Sequence, residues 1–155
     1  MRAVLQRVTR AAVRVGSDTL AAIGPGLAIL LAVATDDGPE RAAALAEKTA
    51  HLRIFDDDAG RLNRSVLDVG GQILVVSQFT LYGDASGGRR PSFVRAAKPE
   101  HAQPMMDVYV HHLQRLGLVV ATGRFRAVMQ VEIHNDGPVT LILDTDRHAR
   151  DAAHG

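Results

Sequence analysis

The sequence predicts an α/β fold in which two helices back one sheet layer and further strands form a second β layer. The elements predicted along the chain follow in the order strands, helix, strand, helix, strands, with no repeat and no low-complexity tract. A continuous aliphatic run at 27–33 has the composition of a strand that is covered on both faces. The length of 155 residues fits a single domain, which we expect to occupy residues 1–145 and to be followed by a polar tail at 146–155.

The first third of the chain predicts an antiparallel meander. Residues 2–8 and 11–15 are rich in β-branched side chains and predict two strands with a break between them, while residues 20–23 predict a short third strand. A Gly-Pro-Gly sequence at 24–26 then predicts a turn. The aliphatic run at 27–33 follows it as a central strand.

Each of the two helices is predicted to begin at a proline and to bury a stripe of apolar residues. Pro39 opens the first helix, with Asp36 or Asp37 as its cap. Pro99 opens the second helix, which ends at Gly117. The apolar stripe of the first helix contains Ala42, Leu45, Ala46, Thr49 and Leu52. That of the second contains Met105, Met106, Tyr109, Val110, Leu113 and Leu116, and we interpret its methionines as core residues.

Three further strands are predicted in the second half of the chain. Residues 73–79 predict one of them, and its alternation places Gln78 and Thr80 on the same face. Residues 128–133 and 139–143 predict two strands on either side of a turn. The two polar side chains at the end of the strand at 73–79 can therefore act together.

The composition excludes several kinds of site. The chain has no cysteine, which excludes disulfides, thiolate nucleophiles and cysteine-ligated zinc. None of its seven histidines belongs to an HExxH motif, and His111 and His112 diverge by about 100° on a helix. The acidic run at 56–58 lacks the spacing of a calcium loop and predicts a turn. We therefore expect no metal and no cofactor.

The charge pattern favours a local rather than a global contact with nucleic acid. A net charge of +1 argues against a protein that coats nucleic acid, so we expect no DNA partner. Four cations nevertheless cluster in one polar loop, namely Arg89, Arg90, Arg95 and Lys98. Charge alone leaves two interpretations of this loop open, a phosphate-binding surface and a solvated loop. The apolar runs are too short for a membrane span, so we expect a cytoplasmic protein with no membrane partner.

Ser77 and Thr80 are the candidate nucleophiles. Either hydroxyl could attack an ester if a histidine lay beside it. No Gly-x-Ser-x-Gly sequence surrounds them, and a hydroxyl in a strand is more often structural. We therefore assign Thr80 a positioning role, with nucleophilic attack as the alternative.

Four segments carry a resemblance to a known family. Residues 77–82 are Ser-Gln-Phe-Thr-Leu-Tyr, and residues 135–140 are Asn-Asp-Gly-Pro-Val-Thr. They resemble the SQFTLY and NxGPVT motifs of the D-aminoacyl-tRNA deacylases and occur in the family's order. The opening at 1–8 and the loop at 88–93 are also similar to that family, so the resemblance covers nearly the whole chain.

The resemblance implies a compact three-layer β/β/α domain that forms a symmetric homodimer. It implies hydrolysis of the ester that joins a D-amino acid to tRNA, as chiral proofreading in translation. The 2′-hydroxyl of the terminal adenosine would assist the attack of water. The Gly137-Pro138 bond would be cis and would enter the active site of the other subunit, although Gly-Pro alone is an ordinary turn dipeptide. A wall of this kind excludes L-residues by clash, which would leave glycyl-tRNA as a tolerated substrate.

The candidate site residues fall into three groups. The catalytic group is Ser77, Gln78, Phe79 and Thr80. The group for substrate binding and chiral selectivity is Arg7, Asn135, Gly137, Pro138, Val139 and Thr140, in which Arg7 either holds carbonyls of the turn or faces water. The group for the tRNA acceptor end is Arg89, Arg90, Arg95 and Lys98.

Two other classes of function compete with this interpretation. A non-catalytic module that binds the acceptor end of RNA would share the basic loop and show no turnover. A hydrolase of small esters would use Ser77 or Thr80 and would act without tRNA. Neither alternative accounts for both motifs.

Overall fold

The computed structural model describes residues 1–146, so the predicted tail at 146–155 lies outside the described residues except for Asp146. The described chain forms eight strands, two helices and one 3₁₀ turn. In chain order these are β1 (Arg2–Val15), β2 (Asp18–Ile23), β3 (Gly26–Ala32), α1 (Pro39–His51), β4 (Phe55–Asp56), β5 (Leu62–Arg64), β6 (Gln72–Ser77), the 3₁₀ turn (Phe79–Tyr82), α2 (Pro99–Arg115), β7 (Val119–Thr122) and β8 (Gln130–Asp144). Neither helix has the length and apolar content needed to span a bilayer.

Strand β1 organises the main sheet. Along one side it pairs antiparallel with β8, and along the other its first half pairs with β3 and its second half with β2. Strand β6 adds parallel to β3, and β7 adds parallel to β6. Strands β4 and β5 form a separate two-stranded sheet. The predicted central position of β3 follows from this order, since it lies between β1 and β6.

Two apolar clusters lie on opposite faces of this sheet. The larger cluster packs both helices against β1, β3 and β6, and it includes Leu5, Ile29 and Tyr109. The smaller cluster brings the second half of β1, together with β2 and the start of β8, over the other face, where Val13 meets Leu74. Helices therefore cover one face, while the curled sheet forms a second β layer on the other. The predicted fold class is confirmed.

Strand β1 is continuous, so the break predicted between residues 8 and 11 is wrong. The exposed Thr9 and Arg10 suggested an interruption, but they mark the point where β1 changes partner. Its pairing with β3 ends at Val8, and its pairing with β2 begins at Ala11. Thr9 and Arg10 lie opposite the turn between β2 and β3, so they have no partner strand on the side of β1 that faces β2 and β3. The backbone of β1 nevertheless stays extended there.

The predicted cap of α1 is also wrong. The residue that precedes the helix is Gly38, and neither Asp36 nor Asp37 caps it with a side chain. The Asp37 carboxylate is instead buried against the ammonium group of Met1, at 2.6 Å, and it accepts a hydrogen bond from the Ala34 N–H group at 2.7 Å. A buried ammonium group needs a fully paired counter-charge, and this need determines the position of Asp37.

The predictions for the second helix and for the acidic run agree with the structure. Helix α2 begins at Pro99 and is followed by Gly117 with a φ of 94°, a value that favours glycine. Residues 57–60 form the turn between β4 and β5, where Asp57 accepts hydrogen bonds from the N–H groups of Arg61 and Ala59. These bonds, led by the one from Arg61, hold the pKa of Asp57 below its usual value.

Two buried tyrosines differ in how their hydroxyls are satisfied. The Tyr109 hydroxyl lies 2.9 Å from Thr49 Oγ1, which itself donates to the Leu45 carbonyl, so Tyr109 donates to Thr49. The Tyr82 hydroxyl is buried and has no hydrogen-bond partner among residues 1–146. Burial raises the pKa of both tyrosines. The Tyr82 ring lies between the guanidinium groups of Arg2 and Arg95, at 4.9 and 5.2 Å from its centre.

We expect Tyr109→Phe to lower the free energy of unfolding by about 1 kcal/mol, because Thr49 loses its donor. Tyr82→Phe removes a hydroxyl that has no partner and serves as the matched control, so its effect should stay within about 0.5 kcal/mol or be stabilising. Denaturant unfolding of both variants at one protein concentration measures the difference. Equal losses in the two variants would contradict the assignment of these hydroxyls.

Candidate active site

The first motif lies where β6 leaves the sheet. Strands β3, β6 and β7 are parallel, so their carboxyl ends meet at one edge, where ligand sites of such sheets form. Ser77 is the last residue of β6 and lies beside Leu31 of β3. The Gln78 N–H group donates to the Leu31 carbonyl at 2.8 Å, and the chain then turns away from the sheet.

The strand predicted at 73–79 therefore ends two residues early. Gln78 has φ −144° and ψ 75°, and residues Phe79–Tyr82 form a 3₁₀ turn. Gln78 and Thr80 nevertheless come together, because Gln78 Nε2 donates to Thr80 Oγ1 across the turn. The prediction of a polar pair agrees with this contact, whereas the strand alternation on which it rested does not apply at Thr80.

The 3₁₀ turn exposes backbone donors beside the motif. Its first N–H groups, those of Phe79 and Thr80, have no acceptor in the described part of the chain, as is usual where a helical turn begins. The Phe79 side chain is 55% exposed and meets the Phe93 ring edge-on, with 5.2 Å between the ring centres. The turn thus presents two unpaired donors next to an aromatic surface.

A cleft of about 600 Å³ opens at this edge of the sheet. Its lining is mostly apolar, and within residues 1–146 it consists of Ala32, Val33, Val76, Ser77, Gln78, Phe79, Phe93, Ala96, Ala97, Pro99, Ala102, Met106, Phe125, Arg126, Ala127, Met129 and Val131. Arg126 is the one ionisable side chain among these lining residues. The described cleft therefore offers amide, hydroxyl and backbone groups but no histidine or carboxylate.

The second motif is a bulge in β8. Gln6 of β1 pairs with Thr140 of β8, and Val8 pairs with Asn135. Only Arg7 lies between the two paired residues on β1, whereas four residues, 136–139, lie between their partners on β8. The two strands predicted around a turn are thus one strand, β8, from which this segment projects. The Gly137-Pro138 peptide bond is cis, and Gly137 has a φ of 123°.

Side-chain hydrogen bonds close the bulge. Asn135 Oδ1 accepts from the Val139 N–H group at 3.1 Å, and Asn135 Nδ2 donates to Thr140 Oγ1 at 2.9 Å. A Cβ atom at Gly137 would lie 2.8 Å from Val139 Cγ2 and 3.2 Å from Arg7 Nη2, so the bulge has no room for a larger residue. The geometry of the Gly-Pro segment is therefore fixed from both ends.

Arg7 supports the bulge from below. It is buried, with 8% of its surface exposed, so it does not face water. Its Nε donates to the Asp136 carbonyl at 3.2 Å, and its Nη1 donates to the Ile54 carbonyl at 3.1 Å. The carboxylates of Asp56 and Asp136 lie at 3.4 and 3.3 Å and balance its charge.

The four cations of the predicted tRNA-binding group differ in their partners. Arg89 and Arg90 are exposed at the end of a loop and have no acidic partner within the described chain. Arg95 instead pairs with the Asp146 carboxylate, which raises its pKa, and stacks on Tyr82. Lys98 is exposed at the start of α2.

The two motifs lie apart within one protomer. Through the pairing of Arg7 with Leu27 and of Leu27 with Ile73, the bulge lies at the same height in the sheet as Ile73, four residues before Ser77. The bulge and Ser77 are therefore about 13 Å apart along the strand direction. Across the sheet, β1 and β3 lie between β8 and β6. None of the residues 135–140 lines the cleft.

Comparison with known proteins decides the family. The family model described as D-Tyr-tRNA(Tyr) deacylase matches residues 4–144. The chain belongs to this deacylase family. D-aminoacyl-tRNA deacylases from Roseiflexus sp. (strain RS-1) and Thermus aquaticus are 59% and 53% identical to it over 145 residues, which cover 94% of this chain and 94% and 95% of theirs.

Solved structures agree with this deacylase fold. The c-Myc DNA unwinding element binding protein superposes with a TM-score of 0.87 at 40% identity, covering 94% of this chain and 99% of that one. A probable eukaryotic D-amino acid tRNA deacylase, at 17% identity, shows the same fold with a TM-score of 0.81, covering 92% and 98%. The family assigned from the motifs is confirmed, and with it the prediction of a hydrolase that acts on aminoacyl-tRNA esters.

Sequence reasoning missed part of the deacylase cleft. Phe93 lies in the loop at 88–93, which resembles the family, and no predicted element contains Phe125 or Arg126, yet all three line the cleft. Met106, interpreted as a core residue, packs against the core and also reaches the cleft. The parallel order of β6 and β7 is the signal that places the segment after β7 at the same edge as Gln78.

We expect Arg7→Met to lower the free energy of unfolding by about 2 kcal/mol, because the buried Ile54 carbonyl and the partly buried Asp136 carbonyl lose their donor. Arg10→Met is the matched control on the same strand, since Arg10 is exposed and paired with Glu132 at 3.1 Å. Its effect should stay within about 0.5 kcal/mol. Denaturant unfolding measures both, and similar losses would contradict a supporting role for Arg7.

Proposed function

We propose that this deacylase hydrolyses D-aminoacyl-tRNA as a chiral proofreading enzyme and that the terminal 2′-hydroxyl of the substrate assists the reaction. The observation that carries the proposal is the chemistry of the cleft. It holds the Gln78 amide and the unpaired Phe79 N–H group, and its one ionisable lining residue in the described chain is an arginine, whose side chain has donors only. The assistance that water needs then comes from the substrate.

The proposed reaction uses positioning and polarisation. Water attacks the carbonyl carbon of the ester, the bond to the ribose 3′-oxygen breaks, and that oxygen leaves with a proton while the new carboxyl group loses one. We assign the Phe79 N–H group, with that of Thr80 beside it in the turn, to polarising the carbonyl, and the Gln78 side chain to positioning the adenosine end. Positioning of this kind can lower a barrier by about 7–11 kcal/mol in favourable cases.

Nucleophilic attack by a hydroxyl of the protein receives no support from the geometry. Thr80 Oγ1 accepts a hydrogen bond from the Gln78 side-chain amide, and Thr80 does not line the cleft. Ser77 does line the cleft, but no histidine is among the described lining residues beside it. A hydroxyl needs an adjacent base to act as a nucleophile. We therefore assign both hydroxyls, with Gln78 and Phe79, to binding and positioning.

We propose that chirality is set by exclusion at the Gly137-Pro138 segment. D- and L-residues carry the same groups, so a rigid obstacle at the L-side-chain position discriminates by clash. A preference of about 1000-fold requires about 4 kcal/mol of transition-state free energy. The bonds of Asn135, Arg7 and Thr140 make the segment rigid. Glycine has no side chain to clash and would pass.

Exclusion at the reacting ester requires a second protomer. Within one protomer, the Gly-Pro segment does not line the cleft and lies several strands from Gln78. A symmetric homodimer can supply each cleft with the segment of the other chain. In a two-fold interface, if the segment of one chain contacts the cleft of its partner, the partner's segment contacts the first cleft in the same way. We therefore propose that the working unit is a homodimer with two composite sites.

The remaining expectations concern the substrate body and the setting. Arg89 and Arg90 are free to bind phosphates of the acceptor end, with Lys98 as a further cation. Arg95 would have to release Asp146 to take part. We propose one domain over residues 1–145, a cytoplasmic location, and neither DNA nor a membrane as a partner. A non-catalytic RNA-end-binding module is the alternative.

Hydrolysis of matched esters in the presence of EDTA tests this function. We expect rapid hydrolysis of D-tyrosyl-tRNA and detectable hydrolysis of glycyl-tRNA, with L-tyrosyl-tRNA slower by about 1000-fold. D-tyrosyl-tRNA that lacks the terminal 2′-hydroxyl should be stable. Inertness toward every ester would favour the binding module, hydrolysis without that hydroxyl would remove substrate assistance, and stable glycyl-tRNA would contradict pure exclusion.

Mixed dimers test whether each site is composite. The double variant Gln78→Ala with Gly137→Val should be inactive, and the wild type should spare L-tyrosyl-tRNA. If sites are shared, refolding the two together creates clefts with an intact Gln78 and a defective wall, so L-tyrosyl-tRNA hydrolysis appears that neither parent shows.

Two controls accompany the mixture of wild type and double variant. The single variant Gly137→Val should hydrolyse both tyrosyl esters, which shows that the wall was lost without loss of turnover. A mixture of wild type with Gln78→Ala should gain no activity toward the L-ester. Failure of the test mixture to gain activity, although Gly137→Val alone is active, would place the wall and the cleft in one chain.

A further inference from the structure

The segment between β7 and β8, residues 123–129, forms a wall of the cleft that the two motifs do not include. It leaves the sheet beside the end of β6, where the Gly123 N–H group donates to the Val75 carbonyl at 3.1 Å. Phe125, Arg126 and Met129 line the cleft together with Gln78. The segment is therefore placed to contact whatever Gln78 contacts.

Residues 124–127 form a turn that contains an unusual arginine. The Ala127 N–H group donates to the Arg124 carbonyl at 3.2 Å, which closes a four-residue turn. Arg126 occupies its third position with a φ of 66°, and it is the one non-glycine residue with positive φ in the described chain. Phe125 before it has negative φ, so the combination is that of a type II turn, whose third position favours glycine or asparagine.

The arginine occupies a backbone conformation that does not favour it. An L-residue in the left-handed region is less favourable than glycine there, and such residues cluster at functional sites. The Arg126 side chain is exposed, and it has no hydrogen bond or ion pair with any residue in 1–146. No contact within the described protein therefore accounts for an arginine at this turn.

Among the described lining residues of the cleft, Arg126 is the one cation. The other lining residues are apolar or neutral, so no carboxylate among them competes for the guanidinium group. A guanidinium group binds a phosphodiester through two parallel hydrogen bonds. The anion it fits is a phosphodiester that enters the cleft with the ester.

We propose that Arg126 binds the phosphodiester group next to the terminal adenosine of the substrate, and so positions the ester against Gln78 and the Phe79 turn. This inference rests on the proposed function, because it takes the substrate to be an aminoacyl ester at an RNA end. Arg126 acts through the phosphate and takes no part in proton transfer. It supplies a binding contact separate from that of Arg89 and Arg90.

The test compares substrates that differ in phosphate. Arg126→Asn removes the charge and keeps a residue that tolerates positive φ. We expect it to raise KM for D-tyrosyl-tRNA by about two- to fivefold, the range for one exposed ion pair, and to raise KM for D-tyrosyl-adenosine less, since that ester has no phosphate. In a plot of the logarithm of the affinity for deacylated tRNA against the logarithm of the salt concentration, the magnitude of the slope should fall by about 0.7.

Three further variants complete the design. Arg126→Lys should restore part of the salt slope, because it keeps the charge without the planar fork. Arg126→Gly should share the binding defect while its melting temperature equals or exceeds that of the wild type, because glycine suits the turn. Arg61→Asn removes an exposed arginine from the turn between β4 and β5, away from the cleft, and should leave KM and salt slope unchanged.

The outcomes separate the inference from the function on which it rests. Absence of turnover by the wild type would overturn the proposed function. Normal turnover with an unchanged salt slope in Arg126→Asn would overturn the role of Arg126 alone. An equal rise of KM for the tRNA ester and the adenosine ester would also overturn it, because the contact would then be to the nucleoside or the amino acid.

Discussion

The unequal pairing of β1 and β8 is the constraint on which the second motif depends. One residue of β1 faces four of β8, and the pairing on either side of the mismatch extends to the ends of both strands. A slip of one residue would turn every buried side chain of β1 to the wrong face, and the second irregularity, at Thr9 of β1, takes up only one residue. The remaining extra backbone of β8 projects, and Arg7 lies against it.

The chemistry of the cleft is compatible with the proposed substrate-assisted reaction. Its walls are aliphatic and aromatic, its donors are backbone N–H groups at the start of a 3₁₀ turn, and its one charge in the described chain is a guanidinium group. Such groups hold and polarise but do not exchange protons near neutral pH. Within the described chain, Thr80 Oγ1 accepts a hydrogen bond from the Gln78 amide, and no histidine or carboxylate lines the cleft beside Ser77.

The sequence predicted the layers, the helices and the family, because apolar periodicity, prolines at helix starts and two dense motifs are local signals. It did not predict what depends on pairing between distant segments. The continuity of β1 past Thr9 and Arg10 follows from a change of partner strand, and the early end of β6 follows from the geometry of Gln78. Arg126 was missed for the same reason, since only the parallel order of β6 and β7 brings its turn to the cleft.

The bulge has a second effect, on the open edge of the sheet. Within the described chain β8 pairs with β1 alone, so fifteen residues of strand present backbone groups on their other side. A long edge of this kind can recruit strands from other molecules and grow into aggregates. The projecting segment interrupts that edge near its middle, and Pro138 has no N–H group to offer. The same few residues that are proposed to give the enzyme its selectivity thus also interrupt an edge at which strands of other molecules could pair.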